Sequence, residues 1–148
     1  MTDLQDIIDI LRRSNTIRLG LHGEPYPYVV PLSFGFEETG EGVALYFHGA
    51  KEGLKHELIA KNPHACVEAD VFHRYAETAG GITTEYESVI GFGIAARVEG
   101  EEAARGLDLL QAHCGYENYG YVRADMEMTW VYKITLTSVT GKRNTSLQ

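Results

Sequence analysis

Lys51, Gly53 and Lys55 follow His48 and Gly49 within one short stretch, LYFHGAKEGLKHELIAKNP, over residues 45–63. The apolar run before them reads as a strand, and the apolar spacing after Gly53 reads as a helix. A helix that begins near Glu52 or Gly53 points free N–H groups and about half a positive charge at whatever lies before it. Two lysines and a glycine turn at such an end could seat a phosphate or another small anion. A lysine in the first turn opposes the helix dipole unless an anion offsets it, although a solvated basic helix start would show the same letters. His48 closes the strand on the face shared by Ala44 and Tyr46. Its side chain titrates near neutrality, so it could donate to a phosphate or a ring carbonyl, or serve a substrate as acid or base. A histidine that merely ends a strand is the alternative.

Other motifs carry less. GFGIAA (residues 91–96) has the letters of a dinucleotide fingerprint, but that chemistry needs its glycines in a turn between strand and helix. Here they alternate inside a strand pattern that continues to Val98. GAKEGLKH lacks the ending and spacing of a P-loop. Ser88 has no partner motif of a serine hydrolase and suits a hydroxyl donor at the mouth of that strand better than a nucleophile. Cys66 lies in an apolar strand and Cys114 on the stripe of a helix, and both read as packing. His48, His56, His64 and Cys66 show no recognisable metal-ligand spacing, so no metal site is expected.

The elements that must position these residues fit one domain spanning residues 1–148, long enough for a real core. A net charge of -8, from 13 basic and 21 acidic residues, argues against nucleic acid or an anionic membrane as a partner. Two unpaired-looking cysteines and an acidic, amphipathic N-terminus without a secretory core point to a reducing, cytoplasmic location, and no run is long and apolar enough to span a bilayer.

Thr2 and Gln5 suggest a capping box for a first helix with Leu4, Ile7, Ile8 and Leu11 on one face, ending near Ser14. Strands are expected at 16–22 and 26–34, joined by a turn at 22–25. Pro27 and Pro31 place the second of these at an edge or a bulge. A turn at 37–42 precedes a strand at 43–48, and another strand is expected at 65–70 after the Asn62-Pro63 stop. Residues 71–87 read as an irregular loop. In 88–100, Ile90, Phe92, Ile94, Ala96 and Val98 are expected to face the core, leaving a bare Gly91, Gly93 and Ala95 face for something flat. A helix at 101–114 carries Ala103, Leu107, Leu110 and Cys114 on a stripe. A tyrosine-rich loop at 115–122 leads to a last strand at 129–140 in which Trp130, Tyr132, Ile134 and Leu136 alternate, with 141–148 trailing off. Adjacent strands with few crossover helices favour a mainly β antiparallel barrel with accessory helices.

Four segments in this order, YPYVVPLSFGF, LYFHGAKEGLKHELIAKNPHACVE, YESVIGFGIAARVE and YKITLTSVTGKR, resemble the flavin mononucleotide (FMN)-binding split barrels related to pyridoxamine 5'-phosphate oxidase, in particular the nitroimidazole-resistance branch. The resemblance implies a six-stranded antiparallel split barrel that forms a homodimer with FMN in two grooves at the interface. It implies that Val30, Pro31, Leu32 and Ser33 line the flavin ring with backbone groups, and that Gly53 and Lys55 hold the phosphate near Gly49 and Lys51. Ser88 and Val89 would lie across the groove, and His48 would be the catalytic residue beside the ring or the acceptor. The implied activity is a flavoprotein oxidoreductase that passes electrons from a reduced donor, such as a nicotinamide, to a small nitroaromatic or quinone-like acceptor. Leu54 stands where the branch often has arginine, and the arginines that recognise a vitamin phosphate are not matched. Because relatives of the barrel bind haem or a deazaflavin, a binding module without turnover is the alternative.

Overall fold

In this computed structural model residues 1–40, 42–119 and 127–145 are described. Their order is α1 (Leu4–Arg13), β1 (Ile17–Leu21), β2 (Tyr28–Leu32), β3 (Gly35–Thr39), β4 (Gly42–Ala50), α2 (Leu54–Lys61), β5 (His64–Thr78), β6 (Gly81–Val98), α3 (Gly100–His113) and β7 (Thr129–Asn144). The strands form one antiparallel sheet in the order β2-β1-β5-β6-β7-β4-β3. Both margins of this sheet feed the same core. Leu19 and Val30 from one margin and Phe34 and Leu45 from the other pack in one cluster with Ile7 and Leu11 of α1. The sheet therefore curls into a barrel. No pairing joins its marginal strands, β2 and β3, which Ser33 and Phe34 connect directly. The architecture is a mainly β split barrel with accessory helices, with seven strands among the described residues where six were expected.

α1 plugs the barrel because Ile7, Ile8, Ile10 and Leu11 share its buried side. Its cap is Asp3, whose carboxylate accepts from the Asp6 N–H at 3.0 Å, one residue later than the expected Thr2. β4 is buried on both sides. Val43, Leu45 and Phe47 enter the barrel core, while Ala44 and Tyr46 pack with Val131 beneath α3. Gly106 permits this approach, since a Cβ there would lie 2.6 Å from Tyr46 Cδ1.

Several expectations fail for identifiable reasons. The turn at 37–42 is instead the end of a hairpin, since Gly35–Thr39 pairs with β4. The supposed loop at 71–87 is the long arm of the β5–β6 hairpin, whose polar residues hid a ladder reaching Thr78↔Gly81. The faces of β6 are reversed. Val89, Gly91, Gly93 and Ala95 point inward, and Ile90, Phe92 and Ile94 are exposed. A Cβ on Gly91 would meet Leu136 Cδ1 at 2.9 Å, and one on Gly93 would meet the Thr135 carbonyl at 2.1 Å. Strand β7 already fills that space, so the large side chains must go outside. Cys114 is exposed. The last strand continues to Asn144, so residues 141–144 do not trail off. The end of the expected tyrosine-rich loop, 120–122, and the last residues, 146–148, lie outside the described residues.

Candidate functional site

The His48–Lys55 stretch turns from the end of β4 into α2. Gly49 lies on the inward side of β4, in line with Phe47, and the Lys55 ammonium rests on it: a Cβ at position 49 would stand 2.7 Å from Lys55 Nζ. That ammonium also sits 5.8 Å from the centroid of the Phe47 ring. Burial pushes its pKa down. Among the described residues, no ion pair includes Lys55 or Lys51. A charged, desolvated group without a carboxylate partner is costly to hold and attracts an anion.

α2 begins where the sequence places it. Its N-cap is Gly53, at φ +134, a conformation that side-chain-bearing residues rarely adopt, and no side chain caps the free N–H groups. The orientation of the helix is fixed by His56. Its Nδ1 lies 2.7 Å from the Tyr132 hydroxyl, its ring stacks on Tyr132 and meets Trp130 edge-on, and it hydrogen-bonds the backbone of Ala50. Burial lowers the His56 pKa, and the neutral ring then donates to the Ala50 carbonyl while accepting from Tyr132. His56 is thus a positioning residue that sequence reasoning considered only as a poor metal ligand. The signal was its neighbour in sequence, since pinning residue 56 fixes Lys55.

His48 projects from the opposite, outer side of β4, on the Ala44 and Tyr46 face as expected. Although the residue remains solvent-exposed, partial burial of the ring first, and the Lys55 charge second, lower its pKa, so the imidazole is neutral near pH 7. A neutral imidazole can donate one hydrogen bond and accept another without carrying charge, and it becomes an imidazolium when it takes up a proton. Lys51, Gly53, His56 and Trp130 line a cavity of about 530 Å³ beside this turn. Arg97 lies over the Trp130 ring, 4.1 Å from its centroid, in the adjoining cleft.

The other expected residues stand at different places. Pro31 and Ser33 are exposed at the margin, and Val30 and Leu32 lean onto the core. Gly35↔Tyr46 ends the β3–β4 ladder two residues from both Ser33 and His48, so this segment approaches the site along the chain. Ser88 and Val89 do not. His48 pairs with Val131 while Ser88 pairs with Lys142, which separates them by about 36 Å along β7 at ~3.3 Å per residue. The Val89 side chain is buried in the core, whereas Ser88 shares the outer face with Pro31 and His48. A further cavity of about 590 Å³ is also on the sheet away from the lysines, lined by Gly20, Cys66, Phe92 and Ile94. Among the described residues no group of three or more His, Cys, Asp or Glu side chains could hold a metal ion, and no helix is long and apolar enough to cross a membrane.

A curled antiparallel sheet, open along one seam, with a basic, glycine-seated helix start at the end of a central strand, defines a split-barrel protein. The chain belongs to the pyridoxamine 5'-phosphate oxidase family, whose profile matches residues 3–143. Among solved structures it is similar to a "putative 5-nitroimidazole antibiotic resistance protein" from Bacteroides thetaiotaomicron, with 26% identity and a TM-score of 0.84 over 95% of this chain and 84% of that one. The flavocytochrome Anf3 from Azotobacter vinelandii shares the fold at 18% identity and a TM-score of 0.80, over 99% and 69% of the two chains. An FAD-binding protein from Mesorhizobium loti does so at 19% and 0.69, over 95% and 94%. No match is found among curated proteins.

Proposed function

We propose that this chain is a flavin-dependent oxidoreductase that holds FMN between two copies and passes electrons from a reduced donor, of the nicotinamide type, to a small nitroaromatic or quinone-like acceptor. The observation that carries the reading is the Lys55 ammonium, desolvated on Gly49 at an uncapped helix start and without a carboxylate partner among the described residues. These residues fit a phosphate: the glycine leaves room for the charge, and the helix supplies free N–H donors. The names of similar structures, which include an FAD-binding protein and a flavocytochrome, support a flavin over other phosphate esters.

When bound, the flavin would supply the redox chemistry, and the protein would orient, shield and tune it. Lys55, with Gly53 and Lys51, holds the phosphate. Neutral His48 on the outer face contacts the acceptor and can move a proton to or from it. The exposed Val29, Ile90, Phe92 and Ile94 make an apolar outer face suited to a second copy, which would bring a Ser88 to the groove.

The test is an absorption spectrum and an equilibrium titration with FMN, followed by reduction with a nicotinamide donor. Saturable binding that weakens in Lys55→Ala supports the reading. Binding that ignores Lys55 removes the phosphate seat, bound flavin that no donor reduces leaves a binding module, and a haem band in place of flavin bands replaces the cofactor.

A further inference from the structure

Trp130 is the one tryptophan of the chain, and it heads a short line of rings that runs from the surface into the barrel. Two residues apart on β7, Trp130 and Tyr132 share a face. Trp130 is half-buried and lines the cavity of about 530 Å³ at the β4–α2 turn, where a small solute reaches it. The His56 ring meets it edge-on with centroids 5.3 Å apart. Tyr132 stacks on His56 at 5.4 Å, and Phe47 stacks on Tyr132 at 5.2 Å. Tyr132 is only 4% exposed and Phe47 is fully buried, so the line ends in the core.

The two oxidisable rings of this line are set up differently. The Arg97 guanidinium lies over the indole, 4.1 Å from its centroid. A cation there attracts the neutral ring and opposes a positive charge upon it. The Tyr132 hydroxyl instead donates to His56 Nδ1 at 2.7 Å, while the other N–H of His56 donates to the Ala50 carbonyl. A phenol that loses an electron becomes strongly acidic and must shed its proton, and here the base is already in contact. The imidazolium formed by that transfer keeps both N–H groups bonded, one to the Tyr132 oxygen and one to Ala50. The Lys55 charge opposes the imidazolium, so the proton returns once Tyr132 is reduced.

We infer that Trp130, His56 and Tyr132 form a sink for one-electron oxidants, in which Trp130 is oxidised at the cavity and Tyr132 then re-reduces it while passing its proton to His56. The oxidant, a diffusible radical, takes one electron from the indole and leaves as its anion. One electron from Tyr132 restores the indole, and the phenolic proton moves to His56 Nδ1, which leaves a tyrosyl radical beside an imidazolium. Where the indole N–H proton departs before the second step, the restored ring takes one back from solvent. A one-electron reductant of the enediolate class reverses both transfers. The rings need no cofactor for this, so the sink stands whether or not the Lys55 seat holds a flavin.

Pulse radiolysis of the full chain in azide solution tests the sink, because the azidyl radical oxidises indole in preference to phenol at neutral pH. The tryptophanyl absorption is expected to decay as the tyrosyl absorption rises, at a rate independent of protein concentration and slower in deuterium oxide. Tyr132→Phe keeps the stacked ring without its proton and should abolish this phase. His56→Gln keeps an acceptor for the hydroxyl but no base. It should slow the phase by about tenfold or more, since a positioned base contributes ~10²–10⁴-fold to a proton transfer. A phase unchanged in Tyr132→Phe would send the electron demand to another tyrosine, and a tryptophanyl radical lost only in collisions between molecules would mean that no relay exists; either overturns the proposal. A rate equal in light and heavy water, measured on the unaltered chain, would remove the proton step and overturn it too.

Discussion

Two groups of charged side chains stand at opposite ends of β7, and they are built on opposite principles. Near Arg143, the buried Glu87 carboxylate receives Arg13 Nη1 at 2.5 Å, Arg143 Nε at 2.5 Å and His73 Nε2 at 2.8 Å, tying α1, β5, β6 and β7 together. Near Val131, Lys55 and His48 are held close with no carboxylate between them, and each pKa is pushed toward the neutral form. Charge that is fully paired holds the fold. Charge that is partly buried without a carboxylate partner stays open to an external anion.

The largest effect that would break this comparison is on stability. Glu87→Ala leaves Arg13 and Arg143 without their shared partner, and it should cost about 2–4 kcal/mol, at or below the range for an uncompensated buried charge because both arginines are about a third exposed. Urea unfolding measures it. FMN affinity at the far end should be unchanged, and an affinity loss with intact stability would reverse the roles of the two clusters. The pH dependence follows. The Glu87 carboxylate is held at about 2, chiefly by its hydrogen bond to Arg13. Its folded pKa lies below the ordinary value of 4.5, so its contribution is present above that value and is lost as the pH falls toward 2. Glu87→Gln should flatten this part of the acid-unfolding curve.

The next effect is on binding. Lys55→Ala should lower FMN affinity by roughly 10- to 100-fold, the size of a charge-assisted contact of ~1.5–3 kcal/mol, while stability stays level or rises because a desolvated charge is removed. Gly49→Ala should do less. The added Cβ would stand 2.7 Å from Nζ, at the free end of a flexible side chain, so the lysine shifts and retains its charge. A loss of several-fold in titration is expected. An effect equal to that of Lys55→Ala would mean that the position of the ammonium, and not only its presence, sets the affinity.

The two clusters were unequally legible in the sequence. His48, Gly49, Gly53 and Lys55 could be grouped because their chemistry is local: a strand end, a turn and a helix start are contiguous in the chain. Glu87 could not, because its partners at 13, 73 and 143 are brought to it only by the sheet. The strands around the core were readable from alternation, but alternation does not say which face is inside. For β6 the apolar residues suggested the wrong one, since the decisive fact is the space left by Leu136 and Thr135 on a strand distant in sequence. The arm at 71–87 was missed because a solvated ribbon carries polar residues that resemble a loop.

A third group tests whether every perturbed charge marks a ligand seat. Glu68 and Asp70 lie side by side on the outer face of β5, with Arg18 of β1 at 3.4 Å and 3.1 Å. Burial first and the neighbouring Asp70 second raise the Glu68 pKa to about 7, so here the protein resolves like charge by keeping a proton. A carboxyl whose folded pKa is raised is favoured in the folded chain while protonated, and stability should therefore fall as the pH climbs from about 4.5 to about 7. Solvent screening keeps the effect small, below about 1 kcal/mol. Glu68→Gln should remove that slope in thermal unfolding compared at pH 5 and pH 8, without altering FMN affinity. A slope that survives would place the proton on another group. A change in affinity would extend the ligand groove from His48 to this face, making the Glu68 proton part of the site.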